Sequence, residues 1–233
     1  MNPDYLNNET FRKALADYFY LIDRGYPEKG SLKLTGDRYK LSSGLRTLLY
    51  RGVTSSEDSE KRRTRITNKP RDLLIIDGYN VLFTLLNYRL GRLVFISFDN
   101  ICRDNGSLFG KIKDEELFTD CTVFLEEYLR NLTGLEIVLY LDEPVSFSRN
   151  HQRILKTGLD KHDIKARVEV VHSADKAILT HTRGIIATSD SSILDHSENP
   201  VFDLPRKILE SKFHANLYNL YDFYLKVTGN QQN

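Results

Sequence analysis

A chain of 233 residues, 40% hydrophobic and 28% charged, has room for one sizeable core, or for one α/β domain with a small appendage, and its composition argues against wholesale disorder. Cys102 and Cys121 are the only cysteines, with no spaced Cys/His cluster, which argues against a structural zinc site. No N-terminal apolar segment resembles a signal peptide and no apolar run approaches a membrane span, so a cytoplasmic protein without membrane contact is expected. The net charge of +1 conceals a split. Residues 1–71 carry 15 Lys and Arg against 9 Asp and Glu, a balance of +6, and the remainder carries −5. A basic appendage beside an acidic domain suits a polyanion guided toward a carboxylate site. A solvated basic surface explains the same charges equally well.

In chain order, Glu9–Arg24 has helical periodicity, with Phe11, Leu15 and Phe19 near one face, and Gly25 and Pro27 stop it. Two further short helices are expected at residues 29–39 and 42–51, completing a small basic helical domain over residues 1–53. Residues 54–71 are polar, charged and without apolar periodicity, which predicts a linker whose most basic point includes Arg62 and Arg63, placed either to touch nucleic-acid phosphates or to solubilise an exposed loop. From residue 72 to 233 the pattern alternates. Strands are expected at 73–76, 93–98, 137–141, 166–171 and 185–189. Helices are expected at 81–90, 114–132, 150–157 and 173–182, with a tail helix from Leu204 continuing past Leu220. Strands alternating with helices predict an α/β domain with a mostly parallel central sheet.

Three strands share one ending: LLII before Asp77, IVLYL before Asp142 and IIATS before Asp190. Parallel strands have a common carboxyl edge, where ligands bind in open α/β sheets, so neighbouring strands would gather these carboxylates there. Clustered carboxylates raise one another's pKa unless a divalent cation lies between them. Mg²⁺ or Mn²⁺ accepts such oxygen ligands, together with water and substrate phosphate, and serves phosphodiester hydrolysis. Taken singly, an Asp after a strand simply caps the next helix or turn. Three of them, each directly after an aliphatic run, weaken that explanation. Asp175, in Ser-Ala-Asp-Lys, and Asp195 could join the same edge, and Asp99 and Asp104 are further possible additions. Arg103, Arg149 and Lys176 could contact nucleic-acid phosphates or pair with nearby carboxylates. No Walker or GxGxxG loop, HExxH pair or nucleophile elbow occurs in the chain.

The segments Leu74-Ile75-Ile76-Asp77-Gly78-Tyr79-Asn80-Val81, Leu141-Asp142, Ala174-Asp175-Lys176 and Ala187-Thr188-Ser189-Asp190 resemble, in this order, the NYN/PIN-like metal-dependent ribonucleases. Through Arg24-Gly25-Tyr26-Pro27, Gly36-Asp37-Arg38-Tyr39, Pro144-Val145-Ser146 and Val201-Phe202-Asp203-Leu204 the whole chain also resembles a prokaryotic family that joins a small helical N-terminal domain to a PIN-like domain. This resemblance implies a three-layer α/β/α fold, Mg²⁺ or Mn²⁺ held by Asp77, Asp142, Asp175 and Asp190, Asn80 orienting the site, and RNA as substrate. The segment from Asp99 to Asp104 has no counterpart in the common PIN core. A catalytically silent RNA-binding or scaffold protein on the same fold is the alternative.

Overall fold

The computed structural model describes residues 8–106 and 114–229. The chain begins with four helices: α1 (Glu9–Ile22), α2 (Glu28–Arg38), α3 (Ser43–Gly52) and α4 (Ser56–Arg63). Then follow β1 (Leu73–Asp77), α5 (Gly78–Arg89), β2 (Val94–Ile96), β3 (Cys102–Asp104), α6 (Glu115–Leu129), β4 (Glu136–Asp142), α7 (Ser148–Lys161) and β5 (Ala166–Val171). The last elements are α8 (Ala174–Leu179), β6 (Ile185–Ala187), α9 (Ser191–His196), α10 (Leu204–Phe213), β7 (Tyr218–Asn219) and α11 (Leu220–Thr228). No helix among the described residues is long and apolar enough to cross a membrane.

These elements form two compact units, and neither is a continuous stretch of chain. The first contains the residues up to Thr64, Arg92–Gly106, and the chain from Asn216 onward. Helix α1 buries Phe11, Leu15, Tyr18 and Ile22, spaced along one face, against Leu48 and Leu49 of α3 and Phe95, Phe98, Leu220 and Phe223. Each such side chain contributes about 1.5–3 kcal/mol on burial. The contributions of β2 and α11 explain why the unit does not end at residue 53. Its helices depend for their core on aromatic residues supplied from far down the chain. A second sheet, in the order β3-β2-β7, belongs to this unit, with β2 antiparallel to β3 and parallel to β7.

The stretch 54–71, expected as a linker, instead carries α4. Ser55 caps it, its Oγ accepting from Asp58 N at 3.1 Å, with acidic residues in the first turn and basic ones in the last. Charge complementarity along the helix axis, rather than an apolar stripe, accounts for its form. The tail expected as one helix is two, because His214 adopts a left-handed conformation (φ 49°) and β7 intervenes.

The second unit contains Arg65–Gly91 and the chain from α6 to Ala215. Its sheet has the order β5-β4-β1-β6 with every pairing parallel, so the central sheet of this mixed α/β protein matches the alternation in the sequence. Leu74, Ile75 and Ile76 are buried on both faces, as a continuous aliphatic run in a parallel sheet requires. The chain leaves β1 toward β4 and β5, then returns to the opposite side of β1 as β6. The strand order therefore reverses beside β1, at the carboxyl end that carries Asp77. Gly78 permits this arrangement. A Cβ there would lie 2.7 Å from the side chains of Leu139 and Leu141 and 2.8 Å from the Tyr140 carbonyl.

Candidate functional site

Asp77 ends β1 and caps α5, with Oδ1 accepting from Asn80 N at 3.3 Å. Its Oδ2 accepts the Thr188 hydroxyl at 2.8 Å, and the same hydroxyl accepts from Asp190 N at 3.1 Å. One side chain thus ties the ends of β1 and β6 together. Asn80 does the same one turn later, its Oδ1 accepting from Ser189 N at 2.8 Å and Ser189 Oγ at 3.0 Å. Asn80, the residue expected to orient the site, is thus bonded to the residue directly before Asp190.

Burial pushes the Asp77 carboxyl up to about 7. The bonds from Thr188 and Asn80 pull it down, and the charges of Asp175 and Asp190 push it up again. Asp175 is half-buried at the start of α8, and its carboxyl is also raised, first by burial and then by the charges of Asp190 and Asp142. The four expected carboxylates therefore share one electrostatic neighbourhood. Two of them also have local duties. Asp142 Oδ1 accepts from Ala174 N at 2.8 Å, and Asp190 Oδ1 accepts from Ser192 N at 2.7 Å and Ile193 N at 3.4 Å as the cap of α9.

Among the described residues, no group of three or more His, Cys, Asp or Glu side chains is gathered closely enough to hold a metal ion by itself. Asp77 and Asp142 end β1 and β4, Asp190 follows β6 as the cap of α9, and Asp175 lies in the first turn of α8. An all-oxygen donor set of this kind fits a hard cation that takes one or two carboxylates and completes its sphere with water and phosphate. Asp77, Asp142, Asp175 and Asp190 are the residues that could hold such an ion.

The other expected site residues separate into two groups. Asp195 and Lys176 are exposed, on α9 and α8 of the second unit, and Arg149 is exposed at the start of α7, 3.5 Å from Glu143. The remainder lie in the first unit and have structural partners there. Asp99, fully buried, accepts from Arg62 at 2.8 Å and from Arg103 at 2.6 and 2.8 Å. Burial alone would raise its carboxyl. The Arg103 and Arg62 guanidiniums and the Ser97 hydroxyl outweigh that and hold it below the usual carboxylate range. Asp104 pairs with Arg51 at 3.1 Å. Arg63 donates to the Phe98 carbonyl and lies over the Tyr221 ring at 4.6 Å. Asp99 and Asp104 are thus ion-pair partners rather than additions to the acidic edge. Arg62 and Arg103 are interior cations rather than phosphate contacts. Spacing in the sequence did not reveal this because Arg62 and Asp99 meet across 37 residues.

Several participants escaped the sequence reading. Thr188 and Ser189 connect the strand ends, and their hydroxyls directly before Asp190 were the available signal. A chain of contacts from the buried Tyr79 and His151 to the exposed Glu115 was the other omission. Tyr79 Oη lies 2.9 Å from His151 Nδ1, and His151 Nε2 lies 3.2 Å from Glu115 Oε2. A carboxylate only accepts, so the His151 ring donates from Nε2 to Glu115. These contacts join the first turns of α5, α6 and α7. No sequence signal linked three residues so far apart.

Residues 67–207 match the family described as a domain of unknown function, DUF5616. The chain belongs to that family. Residues 10–65 match a second family described as a protein of unknown function, DUF434, so the two matches meet where the structure passes from its first unit to its second. The chain is also 32% identical over 207 residues to the uncharacterized protein MJ0935 of Methanocaldococcus jannaschii, covering 86% of this chain and 97% of that protein. No solved structure matches.

Proposed function

We propose that this protein is a metal-dependent phosphodiesterase, an RNA endonuclease whose second unit has the three-layer PIN-like arrangement. Asp77, Asp142, Asp175 and Asp190 would hold Mg²⁺ or Mn²⁺, and the ion would supply Lewis acidity at the scissile phosphate. One observation carries the reading. The Asp77 carboxyl, buried at the point where the strand order reverses, carries the electrostatic imprint of Asp175 and Asp190, and Asp175 carries that of Asp190 and Asp142. A set of mutually repelling carboxylates at a ligand-binding edge is costly without a cation to relieve it. Asn80, Thr188 and Ser189 fix the strand ends so that this set keeps its spacing.

Purified protein incubated with single-stranded and structured RNA in the presence of Mn²⁺ tests the reading. Cleavage by the wild type, reduced about 100-fold or more in Asp77→Asn and in Asp190→Asn, is the expected result. Absence of cleavage by the wild type, or cleavage by both variants at the wild-type rate, refutes it. A second reading, an RNA-binding or scaffold protein without turnover, has its own support in the backbone bonds that already engage Asp142 and Asp190. It requires salt-sensitive RNA binding that survives neutralisation of the acidic edge.

A further inference from the structure

Five residues after Asp142, in the turn that leads into α7, Phe147 combines two local costs. Its side chain is 66% exposed, the most of any large hydrophobic side chain among the described residues. Its backbone is left-handed (φ 64°, ψ 18°), a conformation that penalises a bulky side chain. The turn is nonetheless firmly built. Val145 N donates to the Asp142 carbonyl at 3.2 Å, Ser148 N to the Val145 carbonyl at 3.1 Å, and the buried Ser148 hydroxyl to the Glu143 carbonyl at 3.3 Å. The chain thus fixes an aromatic ring in solvent beside the strand end that carries Asp142.

A basic stripe starts at the same place. Helix α7 buries His151, Leu155 and Leu159 and exposes Arg149, Arg153 and Lys156, at positions i, i+4 and i+7 on its opposite face. At 1.5 Å rise per residue these cations span about 10 Å. Arg153 and Lys156, with Gln152, form one wall of a hollow of about 520 Å³, whose other wall is residues Ala166 to Glu169 of β5, the edge strand. Arg167 belongs to that wall. Glu169 lines the hollow opposite Arg153 and Lys156, so the cations there outnumber the single carboxylate three to one, and two further carboxylates stand nearby. Glu143 faces Arg149 at 3.5 Å and Glu136 faces Arg167 at 3.1 Å, both pairs largely exposed, so that phosphate can replace them at little cost.

An exposed flat ring followed by a track of cations is the surface that binds single-stranded nucleic acid, bases stacking on the aromatic and phosphates following the charges. A duplex keeps its bases stacked internally and cannot offer one to Phe147. We propose that Phe147 is a nucleobase platform and that Arg149, Arg153, Lys156 and Arg167 form the phosphate track leading from it, so that the acidic edge receives single-stranded polynucleotide in preference to duplex. The inference rests on the nuclease reading for its purpose, but not for its test.

The chain contains no tryptophan, so Phe147→Trp places a single fluorescent reporter at the platform. Full-length Phe147→Trp is titrated in EDTA with single-stranded RNA, single-stranded DNA, a duplex of the same sequence, and inorganic polyphosphate. Expected results are quenching of the tryptophan by both single strands, weaker binding of duplex, and no quenching by polyphosphate. Labelled single strands should bind Phe147→Ala about tenfold more weakly than wild type, with Phe147→Tyr close to wild type. Arg153→Gln and Lys156→Gln should weaken binding and flatten its salt dependence. Single strands that bind without quenching, equal affinity for duplex, or unchanged affinity in Phe147→Ala overturns the proposal. Because EDTA removes turnover, the two readings fail separately. Quenching without RNA cleavage in Mn²⁺ supports the platform and refutes the nuclease, whereas cleavage with wild-type affinity in Phe147→Ala refutes the platform alone.

Discussion

The carboxyl of Asp77 offers a quantitative check that needs no substrate. Folding moves it from an ordinary value of 3.8 to about 7, so the folded protein binds a proton there that the unfolded chain has already released. Between about pH 4 and pH 7 the folded state therefore holds more protons, and stability falls as pH rises through that window. Below the window both states are protonated and nothing is lost. Above it both are ionised and the whole cost is present. At 1.36 kcal/mol per pKa unit the rise is worth about 4 kcal/mol. Asp77→Asn mimics the protonated form. In EDTA, urea unfolding from pH 4 to pH 8 should show wild type losing stability relative to the variant by up to about 4 kcal/mol, with the gap opening on the alkaline side. Comparing the two proteins cancels the titration of groups that do not interact with Asp77, Glu126 among them. Mg²⁺ or Mn²⁺ at pH 8 should restore wild type and leave Asp77→Asn unmoved. Parallel curves for the two proteins, or a variant less stable at pH 8, would refute the electrostatic account of this edge.

Other consequences can be measured in the same way. Arg103→Met leaves the fully buried Asp99 with one guanidinium fewer, and should cost about 3–5 kcal/mol in urea unfolding; weakened RNA binding at unchanged stability would instead restore Arg103 as a phosphate contact. Gly78→Ala introduces a Cβ 2.8 Å from the Tyr140 carbonyl and should cost about 1–3 kcal/mol, whereas no change would show that α5 and β4 separate easily. Glu126, buried against Gly158, has its carboxyl pushed up to about 7, chiefly by burial. Glu126→Gln should therefore gain up to about 3 kcal/mol over wild type at pH 8 and nothing at pH 4, by the same unfolding assay. Thr188→Val removes the hydroxyl shared by Asp77 Oδ2 and Asp190 N and should cost about 1–3 kcal/mol.

What the sequence reveals follows the range of the interactions involved. The aliphatic runs at Leu73–Ile76 and Ile137–Leu141 are visible because a two-face burial pattern is written in consecutive residues, and their terminal aspartates come with them. Helix α4 (Ser56–Arg63) is hidden in the sequence because Ser55 and the charge gradient from Glu57 to Arg63 stabilise it without an apolar stripe. The first unit was misjudged for a different reason. Phe95, Phe98, Leu220 and Phe223 read locally as parts of the α/β alternation, yet they complete a core with Phe11 and Tyr18, and nothing in their spacing announces that partnership. Arg62, Arg103 and Asp99 show the same limit for charge. A basic residue in a charged run looks solvated until its partner, 37 positions away, neutralises it inside the fold.

That limit also bears on how the acidic edge is interpreted. If Asp142 and Asp190 existed only to receive backbone N–H groups at helix starts, one oxygen each would suffice, and Oδ1 alone makes the bonds: from Ala174 N for Asp142, and from Ser192 and Ile193 N for Asp190. Serine or asparagine would cap as well and carry no charge, as Ser173 does for α8 within the same edge. Choosing aspartate at both positions, beside a buried Asp77 and a half-buried Asp175, adds repulsion that capping does not need. The added charge has a use only if something positive comes to the edge. In Asp142→Asn and Asp190→Ser the caps should persist, with thermal stability in EDTA at pH 8 equal to wild type or higher, while stabilisation by Mn²⁺ is lost. A fall in stability in EDTA with the response to Mn²⁺ intact would return both aspartates to the role of caps and leave the edge without a cation to explain.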